Sequence, residues 1–128
     1  MGFLTGLFSQ TVPELVVADV VLGGNAIVEP GYLYRLDASD APITLTLATR
    51  AVSDVSGKRF AVKVFTRADT PPGGTLTILA PEGQQLEADT GELGTGVVLP
   101  NQAVGTYREW LCDTLGNWLL ISGGWSSS

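Results

Sequence analysis

The sequence contains no histidine, and its 128 residues include a single cysteine. Histidine is the most frequent metal ligand and the usual proton shuttle near neutral pH, so its absence removes most hydrolase mechanisms. One cysteine excludes an intrachain disulfide and any site built from several cysteines. That residue, Cys112, lies between Leu111 and Asp113 on a predicted strand with no histidine to activate it. We interpret it as a small buried hydrophobic residue and assign no catalytic residue, metal or cofactor.

Basic residues are also scarce, because seven Lys and Arg stand against thirteen Asp and Glu, a formal net charge of −6. Such a chain repels phosphate backbones on average, and we expect no nucleic-acid partner. Apolar residues make up 45% of the sequence, yet no run approaches the roughly 20 residues of a membrane-spanning helix. We expect a soluble protein with no membrane partner. The first ten residues lack the basic flank and long apolar stretch of a secretory signal.

Short apolar runs separated by turn residues recur along the chain, and several alternate with the period of a half-buried strand. The predicted strands cover residues 15–22, 25–28, 32–37, 43–47, 58–66, 75–79, 84–88, 96–99, 107–112 and 118–121. The spacing predicts one all-β domain, a β-sandwich or a jelly roll, over residues 14–122. Residues 1–13 are predicted to be an amino-terminal arm, and residues 123–128 a carboxy-terminal tail.

Two turns are predicted to close hairpins. Residues 71–74 read Pro-Pro-Gly-Gly, a strong turn signal, and we expect the strands on either side of it to pair. Asp, Gly and Asn within residues 113–117 supply the turn of a second hairpin, whose strands are rich in aromatic and branched residues. Residues 90–96 are predicted to be a glycine-rich loop.

The arm has one apolar stripe, formed by Phe3, Leu4, Leu7 and Phe8 at helical spacing. So short a helix is marginal by itself, because nucleation is costly, and its stripe needs another surface on which to pack. That surface is either its own domain or a partner, and we take these four residues as a candidate contact with another subunit or another protein.

Two charged groups have competing interpretations. Glu87, Asp89 and Glu92 lie beside glycines and could bind calcium, but a solvated polar loop is the favoured interpretation. Lys58, Arg59, Lys63 and Arg67 hold four of the seven basic residues, with Arg59 expected on the face opposite Lys63 and Arg67. They could form an acid-binding face, but we favour a structural role, guarding an edge strand or pairing at a subunit contact. Paired carboxylates of a glycosidase remain a minor alternative.

The three tryptophans, Trp110, Trp118 and Trp125, are interpreted as core or interface anchors before sugar-stacking platforms. Since they lie near the carboxyl end, we take them as candidate oligomer contacts.

Several runs together resemble the small β domains of tailed-bacteriophage virion proteins, which occur in head-decoration proteins and in tail fibres. They are Ile43-Thr-Leu-Thr-Leu47, Gly57-Lys-Arg-Phe-Ala-Val-Lys-Val64, Gly74-Thr-Leu-Thr-Ile78, Trp110-Leu-Cys-Asp113 and Gly116-Asn-Trp-Leu-Leu-Ile121. The resemblance covers residues 40–122. It implies a non-enzymatic structural protein of the virion, assembled in the host cytoplasm and typically trimeric.

The surplus of apolar residues on both faces of some strands also favours assembly. Because no repetitive shaft is visible, we expect a capsid decoration or cement protein, a homotrimer bound to the major capsid protein. In that hypothesis Phe3, Leu4, Leu7 and Phe8 of the arm are the candidate contact with the capsid or a neighbouring subunit. The alternative is a tail-fibre or baseplate component whose Trp125, or loops around Asp89 and Asn101, would contact host carbohydrate.

Overall fold

The computed structural model describes residues 15–38, 42–67, 75–99 and 106–122. These residues form eleven strands and one short helix: β1 (Val16–Leu22), β2 (Ala26–Val28), β3 (Tyr32–Ala38), β4 (Ile43–Leu47), α1 (Val52–Val55), β5 (Arg59–Arg67), β6 (Leu76–Leu79), β7 (Gln85–Glu87), β8 (Leu93–Gly94), β9 (Gly96–Leu99), β10 (Tyr107–Cys112) and β11 (Asn117–Ser122). The strands belong to two sheets, which confirms the prediction of an all-β, sandwich-like fold. The predicted arm and tail lie outside the described residues.

The first six strands alternate between the two sheets. Sheet A has the order β1-β3-β5-β10-β11-β7-β8, and sheet B has the order β2-β4-β6-β9. Within sheet A, β1, β3 and β5 are parallel, and within sheet B, β2, β4 and β6 are parallel. The chain therefore winds three times around one core and adds one strand to each sheet per winding. The later strands β9 and β10 join their sheets in antiparallel orientation.

This winding explains two departures from the sequence predictions. A jelly roll is assembled from antiparallel Greek keys, and the parallel windings leave that part of the prediction unconfirmed. The predicted hairpin around residues 71–74 is wrong, because β5 pairs with β3 and β10 while β6 pairs with β4 and β9. Both strands bury one apolar face, and their sequences do not distinguish pairing with each other from packing across the core. The Pro-Gly segment itself lies outside the described residues.

The core is filled by alternating side chains from the two sheets. In β4 the aliphatic residues Ile43, Leu45 and Leu47 are buried and the threonines between them are half-buried, as predicted. Opposite them, Phe60, Val62 and Val64 of β5 are buried, with the intervening Lys63 exposed. Burying one such aliphatic or aromatic side chain contributes about 1.5–3 kcal/mol before the entropic cost of ordering. This alternation fixes which face of each strand is inward.

The closing hairpin is confirmed by the antiparallel pairing of β10 with β11. Its turn is organised by the Asp113 carboxylate, whose Oδ1 accepts hydrogen bonds from the backbone N–H groups of Leu115 at 2.8 Å and Asn117 at 2.9 Å. Gly116 has φ of +89°, a conformation that L side chains rarely adopt. Asp113, Gly116 and Asn117 therefore form the turn of this hairpin, as predicted from the sequence.

Two short elements were not predicted. The helix α1 is a single turn with one buried residue, Val55, and four residues are too few to show a helical period. The strand β8 has two residues and pairs with β7 inside the segment predicted as a loop. Both connect longer elements and carry no apolar repeat of their own.

Candidate functional site

The two described tryptophans lie in the core. Trp110 has no exposed surface, stacks on Phe60 with ring centroids 5.7 Å apart, and donates from Nε1 to the carbonyl of Glu87 at 2.9 Å. Trp118 also has no exposed surface. Neither side chain has any surface left for a partner to contact, so the prediction of oligomer contacts at these two residues is wrong. The alternative interpretation, that they are core anchors, holds for both.

Trp110 and Trp118 are buried because the strand period places residues 110, 112 and 118 on the inward face of β10 and β11. Proximity to the carboxyl end carried no information about that face. The other predicted contacts, Phe3, Leu4, Leu7, Phe8 and Trp125, lie outside the described residues.

The acidic loop is tied to the rest of the domain by its carboxylates. Asp89 accepts two hydrogen bonds from Arg108, at 2.9 and 2.8 Å, in a bidentate ion pair. Glu87 Oε1 accepts the backbone N–H of Leu120 at 2.7 Å. Within residues 15–38, 42–67, 75–99 and 106–122, no three His, Cys, Asp or Glu side chains are grouped as metal ligands. The contacts of Glu87 and Asp89 anchor the loop to β10 and β11.

The basic residues around β5 do not guard an edge, because β5 lies inside sheet A between β3 and β10. Arg59 and Lys63 share the outward face of this strand, and Arg59 forms an ion pair with Glu109 of β10 at 3.3 Å. The predictions of an edge strand and of opposite faces for these two residues are therefore wrong. Interior strands and edge strands show the same alternation of apolar and polar residues, so the sequence of β5 did not distinguish the two positions. The side chain of Arg67 lies outside the described part.

Glu109 is the most buried carboxylate on this outward face, with 9% of its surface exposed. Besides Arg59, it accepts a hydrogen bond from the Tyr107 hydroxyl at 2.9 Å. Burial, followed by this hydrogen bond to Glu109, raises the pKa of Tyr107 to about 12. The Arg59–Glu109 ion pair therefore joins β5 to β10, and the Tyr107 hydroxyl supplies a second donor to Glu109 from within β10.

Cys112 is buried, with 1% of its surface exposed, which confirms its interpretation as a small core residue. Burial, with a smaller contribution from the adjacent Asp113, raises the pKa of its thiol to about 11. The thiolate is the nucleophilic form, so this cysteine is inert near neutral pH.

Of the eleven exposed large apolar side chains among the described residues, five lie on the first winding of the chain. Among the described residues, no strand pairs with the outer edge of β1 or of β2. Five aliphatic side chains on these two strands, with exposed fractions from 42% to 74%, form what we name the first-winding edge: Val16, Val17, Val20, Val21 and Ile27. Residues 15–22 are apolar at almost every position, which was the signal for a strand with two apolar faces.

A bulge shapes β1. Val17 lies opposite Leu33 and Val21 opposite Arg35, so three residues of β1 face one residue of β3. The Arg35 guanidinium lies over this bulge, and its Nη2 donates to the carbonyls of Ala18 at 3.3 Å and Asp19 at 3.4 Å. A charge-bearing donor thereby satisfies carbonyls that the irregular ladder releases.

Among the described residues, the strands of sheet B place no charged side chain on their outward face. Its residues alternate with the buried ones of the same strands and are Ile27, Thr44, Thr46, Thr77, Leu79, Gly96 and Val98. We name it the uncharged face. An open groove of about 490 Å³ lies at its β2 end and is lined by Asn25, Ala26, Ile27, Thr44 and Thr46. The Oδ1 of Asn25 accepts the Thr44 N–H at 2.8 Å, which positions the wall of the groove.

No protein-family model matches the chain, and comparisons with curated proteins and with solved structures found no match. In the part of the chain that the structure describes, none of the helices has the length and apolar character needed to cross a membrane. The functional interpretation therefore rests on the structure alone. Its main features are two exposed surfaces, the first-winding edge and the uncharged face, and carboxylates that accept hydrogen bonds from neighbouring donors.

Proposed function

We propose that this protein is a non-enzymatic structural protein of a tailed-phage virion, a decoration or cement protein that binds the major capsid protein as a homotrimer. The observation that carries the proposal is the first-winding edge. Its valines expose about half of their surface on a strand with no outer neighbour among the described residues. Binding through this edge would remove apolar surface from water and supply affinity without any chemistry.

Edge strands in soluble proteins are usually protected by charged residues, prolines or bulges. β1 has a bulge and one charged residue, Asp19, but keeps four exposed valines around them. Incomplete protection is expected of an edge that is covered after assembly. A partner strand added to such an edge gains backbone hydrogen bonds as well as apolar contacts.

The polar groups of the domain fit a structural role. Asp89 pairs with Arg108, and Glu109 with Arg59 and Tyr107, so these carboxylates hold strands and loops together. The Cys112 thiol has a raised pKa and a buried position. These observations support a protein that acts through its surface.

The first experiment mixes the full chain with empty capsids assembled from the major capsid protein and measures co-sedimentation. The double variant Val17→Lys/Val21→Lys places two charges on the first-winding edge, and Leu115→Lys is the control, since Leu115 is 76% exposed in the distant hairpin turn. We expect the double variant to weaken binding at least about tenfold, because charges would enter an apolar contact. Circular dichroism verifies folding of each variant.

Loss of binding in the double variant alone supports the proposal. Equal binding by all three proteins would remove the role of the first-winding edge. No binding of the unmodified chain would overturn the decoration function.

A tail-fibre component is the second candidate, and the three parallel windings favour it, because stacked windings can extend along an axis. Adsorption of the purified chain to host cells, without binding to capsids, would support this candidate over decoration.

A further inference from the structure

The parallel windings follow a regular order that can be continued by one step. Going backward along the chain by one winding, from β5 to β3 or from β6 to β4, moves one place outward in the same sheet. The strand before β5 is β4 and the strand before β3 is β2, and both belong to sheet B. By the same order, the segment that precedes β1 falls in sheet B, one place outside β2.

The outer edge of β2 has backbone groups available for such a segment. On its inner side, the carbonyl of Val28 accepts the N–H of Ala48 at 2.9 Å. Successive residues of a strand direct their backbone groups to opposite sides, so Ile27 directs its N–H and carbonyl to the outer edge. No strand among the described residues pairs there, and the Ile27 side chain is 74% exposed. Unpaired edge groups of this kind are a template for a further strand.

The core is open at the same end of the domain. Val16 lies opposite Tyr32, on the face of β3 that buries Tyr34 and Leu36. The register therefore turns Val16 inward, yet 52% of its surface is exposed, and Tyr32 is 38% exposed. A strand added beside β2 would extend sheet B over this position and remove the two side chains from water.

The sequence before β1 has the length and the composition for this position. Residues 23–25 connect β1 to β2, and β2 itself has three residues, so a short strand with its connection needs about six. The predicted arm, residues 1–13, is longer and contains no Asp, Glu, Lys or Arg. Its four large apolar side chains are favourably removed from water: Phe3, Leu4, Leu7 and Phe8.

We propose that residues 1–13 pack against their own domain, beside β2, and cover Ile27 and the inward-facing Val16. Val17 and Val21 point to the outward face of sheet A and stay free for a capsid partner. The arm and that partner therefore use different sides of the first winding. This inference goes beyond the proposed function and does not depend on it.

The test places a nitroxide spin label on the arm of the full chain, through Thr5→Cys, and follows the amide signals of an isotope-labelled sample by NMR. Cys112 is not labelled, since it is buried. We expect the amides of Val16 and Ile27 to lose most of their intensity relative to the sample with the label reduced. Leu93 is the internal control and should keep its intensity, because β8 and β1 are six strand spacings apart, about 29 Å.

Hydrogen exchange at the Ile27 amide gives a second measurement. The double variant Leu4→Asp/Leu7→Asp places charges in the apolar contact and should release the arm. We expect the Ile27 amide to exchange at least about tenfold faster in this variant, with no change at Thr77 in the interior strand β6. Leu115→Asp makes the same type of substitution in the distant, exposed hairpin turn and should leave exchange at Ile27 unchanged.

A mixed sample identifies the chain that supplies the arm. Spin-labelled chains without isotope are mixed with isotope-labelled chains without spin label. Full intensity at Ile27 in this mixture, with loss in the doubly labelled sample, supports the contact within one chain. Loss of intensity in the mixture would identify a second copy as the occupant and overturn the proposal.

Full intensity at both Val16 and Ile27 in the doubly labelled sample would also overturn the proposal, as would equal exchange at Ile27 in the unmodified chain and the arm variant. The nitroxide measurement needs no charged variant, so it decides the case even where the two aspartates prevent folding. Capsid binding is measured separately with Val17→Lys/Val21→Lys, and either result there leaves the position of the arm unaffected.

Discussion

The indole of Trp118 donates a hydrogen bond of 2.9 Å from Nε1 to Oε1 of Gln84, and both side chains are buried. The amide nitrogen of Gln84 donates in turn to the carbonyl of Arg50 at 2.7 Å. One buried amide therefore connects the closing hairpin with the segment that follows β4. Buried polar groups are almost always satisfied in this way, because an unsatisfied one is costly.

The variant Gln84→Leu keeps a side chain of similar size but leaves the Trp118 N–H without an acceptor. An unsatisfied buried donor costs about 1–3 kcal/mol, and we expect the free energy of unfolding to fall by that amount. Urea unfolding followed by tryptophan fluorescence measures it. The control is Gln85→Leu, the exposed neighbour, for which a change within about 0.5 kcal/mol is expected. Equal losses in both variants would contradict a specific role for the buried amide.

The turn at Asp113 should make stability depend on pH. Hydrogen bonds from the backbone of Asn117, and then of Leu115, lower the pKa of the Asp113 carboxyl from its ordinary 3.8. A carboxyl with a lowered folded-state pKa stabilises the fold above its unfolded pKa, and this contribution is lost as the pH falls through the folded value. We expect Asp113→Asn, which keeps the Oδ1 acceptor, to flatten the loss of stability below about pH 4.

Asp113→Ala separates the charge from the hydrogen bonds of the turn. It removes the acceptor and should destabilise the hairpin at neutral pH, where Asp113→Asn retains it. Unfolding midpoints from pH 2 to pH 7 compare the three proteins. Parallel curves for the unmodified chain and Asp113→Asn would show that this carboxyl does not contribute.

The fold class could be predicted because apolar and polar residues alternate with the period of a strand in most of the predicted segments. Residues 43–47 alternate apolar and threonine side chains, and the structure buries the apolar set. The hairpin turn at 113–117 was also local, since Asp113 satisfies the backbone two and four residues later. Both are properties of contiguous residues, which sequence reasoning can reach.

The pairing of strands could not be predicted, because it depends on residues distant in sequence. β3 lies beside β5 in sheet A although β4, in the other sheet, comes between them in the chain. The groove and the uncharged face share this origin, since the register of sheet B places Ile27 beside Thr46, Thr44 beside Thr77, and Thr77 beside Val98. Trp110 and Trp118 were misjudged as surface contacts because aromatic side chains occur in both cores and interfaces.

Cys112 should be unreactive in the folded protein. Its pKa of about 11 lies two units above the ordinary 9.0, so the thiolate is about 100-fold rarer than in an exposed thiol. The variant Leu115→Cys adds a thiol at a site whose native side chain is 76% exposed, and both thiols then compete in one chain. We expect iodoacetamide at pH 8 to alkylate position 115 at least about 100-fold faster, as measured by peptide mass spectrometry.

Urea should abolish this difference, because unfolding removes the burial that raises the pKa. Comparable rates at the two positions in the folded chain would contradict the buried, protonated thiol.

The raised pKa of Cys112 also predicts a loss of stability at alkaline pH. A thiol with a raised folded-state pKa stabilises the fold below pH 9.0, and this contribution disappears as the pH rises through about 11. Cys112→Ala should lose less stability over that interval.

Gly116 is constrained both by its positive φ and by atoms close to the position of a Cβ, and a comparison with Gly31 separates the two effects. Its φ is +89°, and an added Cβ would lie 3.0 Å from Val52 Cγ2 and 3.3 Å from Gln84 Cγ. Gly31 has a similar φ of +98° but no atom within 4 Å of an added Cβ. Gly31→Ala should cost about 1–2 kcal/mol from backbone strain alone. Gly116→Ala should cost about 1–3 kcal/mol more, because the crowded Cβ must displace neighbours around the buried Gln84.

Urea unfolding of the two alanine variants under identical conditions gives the difference between them. Combining Gly116→Ala with Val52→Ala then tests the cause, because it removes the Cγ2 atom that the new Cβ would meet. A partial recovery relative to Val52→Ala alone is expected, since the remaining cost is then mostly strain. Equal costs at positions 31 and 116 would mean that α1 and the hairpin turn are not packed as closely as the structure places them.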